Sequence, residues 1–332
     1  MKKIVLSIAL MAAFTGIKAQ ENSVKPFSHM DLGVTLGTTG VGFDVQMPVH
    51  DIVKLRAGFE FMPRFTYNMH FDVESFDSEG MPTNATLDRM SEVLYGLTGF
   101  KVDQNITMKG KPTMWNFKFL VDVYPFKNKH WHVTAGFHWG PSKIAEAVNA
   151  QEDSPSLFAV GMYNHLYDVA YTDWIEEDNP TPIIDTETTG PVYMDPKIEK
   201  QIVKMGRMGI PLGKFTHDMV DANGKVHKQG ETYYMEPNEN SMVFAEARTN
   251  SFKPYLGFGY EGRLIKNNDK FHIGFDAGVM FWGGTPSIMT HEGINLAKDV
   301  EDINGKVGSY VDLVKAFKVF PVLNLRITRT IF

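Results

Sequence analysis

The chain has no cysteine. That excludes a disulfide framework, a thiolate metal site and a lipid-bearing cysteine behind an export leader, and it leaves the redox compartment unread. Basic charge is not in excess either. The 33 Lys and Arg stand against 39 Asp and Glu, a formal net charge of -6, so the electrostatic footprint of a nucleic-acid partner is missing. Beyond residue 20 no run of about 18 apolar residues occurs, which excludes a helix that crosses a bilayer. Hydrophobic residues nevertheless make up 43% of the chain, ample material for a folded structure.

At the N-terminus, Lys2-Lys3 precedes an apolar stretch from Ile4 to Phe14, and small and polar residues follow. This order is that of a secretory signal peptide over residues 1–19, with Ala19 before the cut and Gln20 the expected mature N-terminus; it is too short for a spanning helix. An exported chain without a membrane helix is either soluble or a barrel.

The stretch from Met114 to Trp139 favours the barrel. Trp115, Phe117, Phe119, Val121 and Val123 share one parity, with Asn116, Lys118, Leu120 and Asp122 between them. After Lys127-Asn128-Lys129 the pattern returns, Trp131, Val133, Ala135, Phe137 and Trp139 opposing His132, Thr134, Gly136 and His138. Period two means strands, and the two form a hairpin. One face is bulky and apolar with aromatics near its ends; the other is polar, charged or Gly. A soluble sandwich would bury the apolar face against a second sheet, whereas a transmembrane barrel turns it to lipid and closes on the polar face.

Similar alternation fills residues 30–61, 252–281 and 317–332, with the third strand expected to continue past Phe61 through Phe65-Thr66-Tyr67 toward Val73. About eight strands result, an even number, with short turns alternating with long loops as in bacterial single-chain barrels. The expected fold is therefore all-β: a transmembrane antiparallel up-and-down barrel of about eight strands. It forms one domain over 20–332, with external insertions at 74–107, 150–250 and 283–315. Short helices are expected near Thr86 to Tyr95, over Pro196 to Met205, and within Ile294 to Val300 or Tyr310 to Val314. A hairpin is expected around Asp221-Ala222-Asn223-Gly224. Ala145-Glu146-Ala147 reads as strand or helix. The long insertion 150–250 is expected to fold as a subdomain standing on one end of the barrel.

Glycine gives an independent check. Gly33, Gly37, Gly42, Gly58, Gly136, Gly257, Gly259, Gly274 and Gly278 all fall on the polar phase. The interior of an eight-strand barrel is only wide enough for side chains to fill it. Small residues there leave room for large polar ones.

With its leader, its alternating strands and its final Phe332, the chain resembles small outer-membrane β-barrel proteins of Gram-negative bacteria. The Lys18-Ala19-Gln20 exit and the large loops make it most similar to Bacteroidetes members. The resemblance implies outer-membrane lipid as surroundings and Phe332 as an address for the barrel-assembly machinery. Phe332 departs from the family in phase, since it shares the parity of Thr328 and Thr330 rather than of Ile327 and Ile331.

The polar face gathers Lys54, Arg56, Glu60, Lys118, Asp122, Glu261, Arg263, His272, Asp276 and Arg326. They could line a pore, but at eight strands a salt-bridged interior that plugs the barrel is the stronger reading. His130, His132 and His138 offer imidazoles without an evident third metal ligand. Asp173 to Asn179 offers hard oxygens but lacks the glycine and spacing of a calcium loop. For a lipid hydrolase the candidate pairs are Ser28-His29 and Ser287 with His291, and no G-x-S-x-G elbow is present. No cofactor or metal is called for. The expected function is non-enzymatic: an accessory subunit or surface binding protein acting through its extracellular loops, with a possible outer-membrane complex partner. The alternatives are a narrow conduit for small or hydrophobic solutes and a lipid hydrolase.

Overall fold

The computed structural model describes residues 26–331, apart from 79, 80, 82, 84–90, 93, 97, 98, 102, 104, 176–179, 187–189, 267 and 304. The expected leader, most of the helix expected near Thr86, the acidic residues after Ile175 and Phe332 lie outside these residues.

Eight strands close into an antiparallel barrel in sequence order: β1 (Asp31–Gly37), β2 (Gly40–His50), β3 (Val53–Phe61), β4 (Trp115–Val123), β5 (Trp131–Trp139), β6 (Phe252–Ile265), β7 (Asn268–Met280) and β8 (Phe320–Thr330). Closure is made by β1 on β8, from Asp31 opposite Thr330 to Gly37 opposite Asn324. The alternation read from the sequence sets the two faces. Outward Leu36, Phe258 and Leu325 are 62%, 53% and 47% exposed, while inward Arg56 and Arg326 are 2% and 0% exposed. In water this chain would be inside out, because its apolar belt runs round the whole circumference and a soluble monomer shows patches of only a few hundred Å². In hydrocarbon the belt is solvated, and closure leaves no backbone edge unpaired. The barrel is thus transmembrane, and no helix among the described residues is long and apolar enough to cross. Aromatic groups mark both ends of the belt. Phe59, Phe61, Trp115 and Trp139 stand at the end that carries the large loops, and Trp131 meets Tyr260 at 5.2 Å at the other.

Above the first end the wall does not stop. A five-stranded sheet of Ser287–Thr290, Phe244–Arg248, Lys143–Asn149, Asn105–Pro112 and Tyr67–Asp72 has the same neighbour order as β7, β6, β5, β4 and β3. Each strand continues its barrel counterpart after a break at 281–286, 249–251, 140–142, 113–114 or 62–66. Hydrogen bonds bridge the breaks, among them Met62 N to Met114 O at 2.9 Å, Thr113 N to Ile144 O at 2.9 Å and Gly140 N to Ser251 O at 3.1 Å. One expectation is corrected here. β3 ends at Phe61, and the chain from Tyr67 belongs to this upper sheet, because Pro63 interrupts the ladder and the strand restarts in a new plane. The insertion 150–250 is tied into this sheet, since its end, Phe244–Arg248, is a strand of the prolonged wall. Ala145-Glu146-Ala147 is strand.

Inside this wall sits the cap's core. Strand Arg207–Phe215 runs through it, paired with Thr232–Met235, Val300–Glu301 and Glu74–Phe76. Helix α1 (Ser154–Ile175) packs Leu157, Val160, Tyr163, Tyr167 and Ala170 against it. Helix α2 (Pro196–Met205) occupies the expected residues: Asp195 caps it by accepting from Lys197 N, Pro196 opens it, and Gly206 closes it at φ +82°. The Asp221–Gly224 turn joins Met219–Val220 to Val226–His227 as expected. Helix α3 (Gly305–Ala316) covers the second of the two proposed segments, whereas Ile294 to Val300 is turn and bridge.

Candidate functional site

The lumen is filled by ion pairs in layers. At mid-height Arg56 donates to Asp276 at 2.9 and 3.1 Å and to Asp122 at 2.8 Å. Thr134 and Gln46 also donate to Asp122, at 2.6 and 3.2 Å, and His132 Nε2 lies 3.0 Å from Asp276. Arg326 sits beside this group, 3.6 Å from Glu261 and 3.9 Å from Asp276. Toward the uncapped end Lys54 lies 3.4 Å from Glu261, which also accepts from the Tyr124 hydroxyl at 2.7 Å. Toward the cap Lys118 pairs with Asp44 at 2.7 Å and Glu60 at 3.5 Å, and His138 lies 2.8 Å from Glu60. Above that, Met114, Tyr255, Met280 and Val322 form an apolar stopper. The glycines serve this filling: a Cβ on Gly259 would stand 2.5 Å from His132 Nε2, and one on Gly58 would stand 2.3 Å from Asp44 Oδ1.

Nine of the ten charged or imidazole residues expected in the lumen line it; Arg263 does not. It has the inward parity but stands where the β6–β7 hairpin outruns β5, whose last pairing is Trp131 with Tyr260, and its exposed side chain pairs with Asp269 at 2.6 Å. Parity states a face and says nothing of where the interior stops. Asp31, Asp44, Gln46, His132, His138 and Lys253 are further members that the sequence reading did not assign to the network, although alternation already places several of them on the polar face. His130, His132 and His138 each meet a different partner, the Glu261 carbonyl, Asp276 and Glu60, and are not brought together. Ser287 and His291 are not brought together either. Four steps along extended chain span roughly 13 Å rather than one helical turn, and His291 is engaged by the backbone of Glu236 at 2.9 Å. Ser28 and His29 are in contact at 3.3 Å on the exposed surface at the uncapped end. Asp173 accepts from Thr181 N at 2.8 Å.

The cap holds two spaces of similar size, one apolar and one polar. Between the prolonged wall and α3 lies a cavity of about 690 Å³, within the range of small-molecule sites. Its floor comes from a feature visible in the sequence but not read there. The tripeptide Ala-Glu-Ala occurs at 145–147 and again at 245–247, and the two pair antiparallel, Ala145 opposite Ala247 and Ala147 opposite Ala245. Gly110 pairs with Ala147 on the far side. Alternation turns the four alanines into the cavity and the two glutamates toward the other face, where Lys111 stands opposite Glu146 and both reach only the border of the lining. There Lys143 bridges Glu146 at 2.8 Å and Glu246 at 3.3 Å, and the bond to Glu146 holds its ammonium above the usual lysine range. The roof is Leu212, Met235 and Leu296 with Val307, Val311 and Leu313 of α3. Among the described residues that line the space, only Lys111 and Glu146 are charged.

The opposite flank of the cap is polar and self-paired. Arg207 pairs with Glu236 and Asp168, and Glu292 accepts from the Tyr233 hydroxyl at 2.5 Å. Burial raises the Glu292 carboxyl to about 7, partly opposed by the Tyr233 bond. Most of its charged groups are matched to one another, which makes the apolar cavity the better candidate site.

No family model matches the chain, and no curated protein matches it. Two solved structures similar to it come from Acinetobacter baumannii. CarO2 has 10% identity and a TM-score of 0.37 over 93% of this chain and 100% of that one. CarO has 11% identity and a TM-score of 0.36 over 92% of this chain and 97% of that one. What this chain's own strands establish is a closed, lipid-facing, eight-strand barrel of the outer-membrane type, carrying a folded cap on one end.

Proposed function

We propose that this protein is a non-enzymatic outer-membrane binding protein of the cell surface, in which the barrel is a closed anchor and the cap holds a hydrophobic ligand. The leader and its Lys18-Ala19-Gln20 exit fit a Bacteroidetes-type source for such a protein. One observation carries the reading: an apolar cavity of about 690 Å³ whose floor is kept low by four alanines and a glycine. Larger side chains at those positions would fill the space and add packing, so leaving it open lowers stability without a ligand to occupy it. The lumen supports the same division of labour, since its charged side chains pair across an eight-strand interior that side chains suffice to fill, which disfavours a conduit through it.

The test is binding of an apolar naphthylamine dye that fluoresces when removed from water, with the full protein reconstituted in lipid nanodiscs. The expected result is saturable binding to the native protein and a loss of about tenfold or more in affinity for Ala147→Phe/Ala245→Phe, because the new rings occupy the floor. Equal binding by both proteins would refute the reading.

A further inference from the structure

The cavity has a mouth, and the mouth is built for an amphiphile. Resting on the binding function proposed above, we infer that the ligand is a single-chain fatty-acid-type molecule, its acyl chain in the cavity and its anionic head at Arg64 and Lys111, loaded sideways from the outer leaflet. Three observations point there.

The first is an apolar approach along the lipid face. A groove of about 520 Å³ runs up the outside of β3 and β4 between Phe59, Phe61, Trp115 and Phe117, and ends at Arg64 and Pro112. Pro112 also lines the cavity, so the outer groove and the cap cavity lie against the same stretch of wall, at 62–66 and 113–114. A chain lying against the barrel in the outer leaflet therefore has an apolar surface leading up to the cavity's wall, beside the edge strand Tyr67–Asp72.

The second is the free edge. Tyr67–Asp72 pairs with Asn105–Pro112 on one side only, and its other side faces α3. The gap is spanned by Tyr67 against Tyr310, edge to face at 5.7 Å, with exposed Phe65 and Leu313 beside it. One aromatic pair across a gap passes one chain more readily than two, which favours a single-chain molecule.

The third is charge. The protein is acidic overall, yet Arg64 and Lys111 at this junction are both exposed, and neither has a carboxylate within 4.0 Å among the described residues. Glu146, the one acidic residue on the lining, is tied to Lys143 on the outer face of the sheet. Two unpaired cations beside an apolar hole at the level of the lipid headgroups match a monoanionic head on one chain.

The experiment displaces the same dye from the nanodisc-embedded protein with a homologous series of fatty acids and the corresponding fatty alcohols. Affinity is expected to rise about fourfold per added methylene until the cavity is full. Acids are expected to bind roughly fivefold tighter than alcohols at low salt, a preference that shrinks as salt is added. Arg64→Gln/Lys111→Gln should erase the preference and leave alcohol binding intact. Equal binding of acids and alcohols by the native protein overturns the assignment of an anionic head while the cavity reading stands. Tighter binding of a lysophospholipid than of any fatty acid overturns the fatty-acid class. Binding of neither dye nor alcohol overturns the cavity reading itself.

Discussion

Assigning function to the cap depends on the barrel being closed, and Arg56 is where that is tested. Its guanidinium is 2% exposed and makes a two-pronged bond to Asp276 at 2.9 and 3.1 Å and a third bond to Asp122 at 2.8 Å. Arg56→Met keeps most of the volume and removes the charge. Breaking one buried pair by deleting a partner costs about 3–5 kcal/mol, because the remaining carboxylate is left desolvated. Two carboxylates lose Arg56 here, but neither is abandoned: Asp122 keeps Thr134 and Gln46, and Asp276 keeps His132 with Arg326 at 3.9 Å. The expected loss therefore stays near about 4 kcal/mol rather than doubling. Against a total stability of about 5–15 kcal/mol this is a large effect. It is read as the shift in guanidinium midpoint of the refolded protein in micelles, followed by tryptophan fluorescence and by the heat-dependent mobility of folded barrels on gels. Arg56→Met/Asp276→Asn should recover part of the loss, since it removes a charge that no longer has its partner. A cost below about 1 kcal/mol for Arg56→Met would place these pairs in the range of solvent-exposed ones. The lumen would then be wet, the plug would fail, and a conduit would return as the leading reading.

Three other outcomes are expected. In planar bilayers the native protein should give no resolvable current steps, whereas a stepwise conductance would contradict the filled lumen. Neighbouring residues on β6 should respond oppositely to substitution. Phe258→Leu is tolerated on the lipid face and Phe258→Arg costs about 2–4 kcal/mol near mid-bilayer, while Gly259→Val impairs assembly even though it is apolar, because its Cβ would stand 2.5 Å from His132 Nε2 and 2.6 Å from Phe275 O; refolding yields in lipid vesicles check the contrast. In the cap, Glu292 holds its proton up to about pH 7 in the folded state, above the 4.5 of an ordinary glutamate. Its contribution to stability is full below pH 4.5 and is lost as pH rises through about 7, on the order of 3 kcal/mol in all. Protease resistance of the cap should fall over that window, and Glu292→Gln should flatten the slope; an unchanged slope would assign it to another group.

The barrel was legible because its signal is local. Leu32, Val34 and Leu36 against Asp31, Gly33 and Thr35 can be read without knowing any partner, and β1 runs where that alternation runs. What was not legible lies in long-range pairing. His132 and His138 look like loose metal ligands until Asp276, 144 residues away, and Glu60, 78 residues away, come across the lumen to meet them. Arg263 shares the inward phase, but nothing local marks the end of the interior two residues earlier. Helix α1 is hidden for a different reason: Phe158, Met162 and Trp174 are exposed on it, so its apolar residues spread round the circumference and blur the stripe that Leu157, Val160 and Tyr163 would otherwise make. The cavity floor was written in the two Ala-Glu-Ala tripeptides, but their meaning depends on their pairing with each other across a hundred residues of chain.

The cap sheet also explains how so much loop can hold an open cavity. Its strand order is inherited from the barrel, because each of its five strands is joined to a barrel strand by a short break that keeps hydrogen bonds to its neighbours. Once the barrel has closed, the loops that must still close to form the upper sheet are short, and the entropy of bringing their ends together is correspondingly small. The wall thus arrives with its register set and does not depend on dense packing over its whole inner face to specify it. On this argument the cap should lose its order whenever the barrel is prevented from closing, while a cap destabilised by filling or emptying its cavity should leave the barrel intact. The dependence runs one way, from lumen to cap, which suits an anchor that can be held constant while the binding surface above it changes.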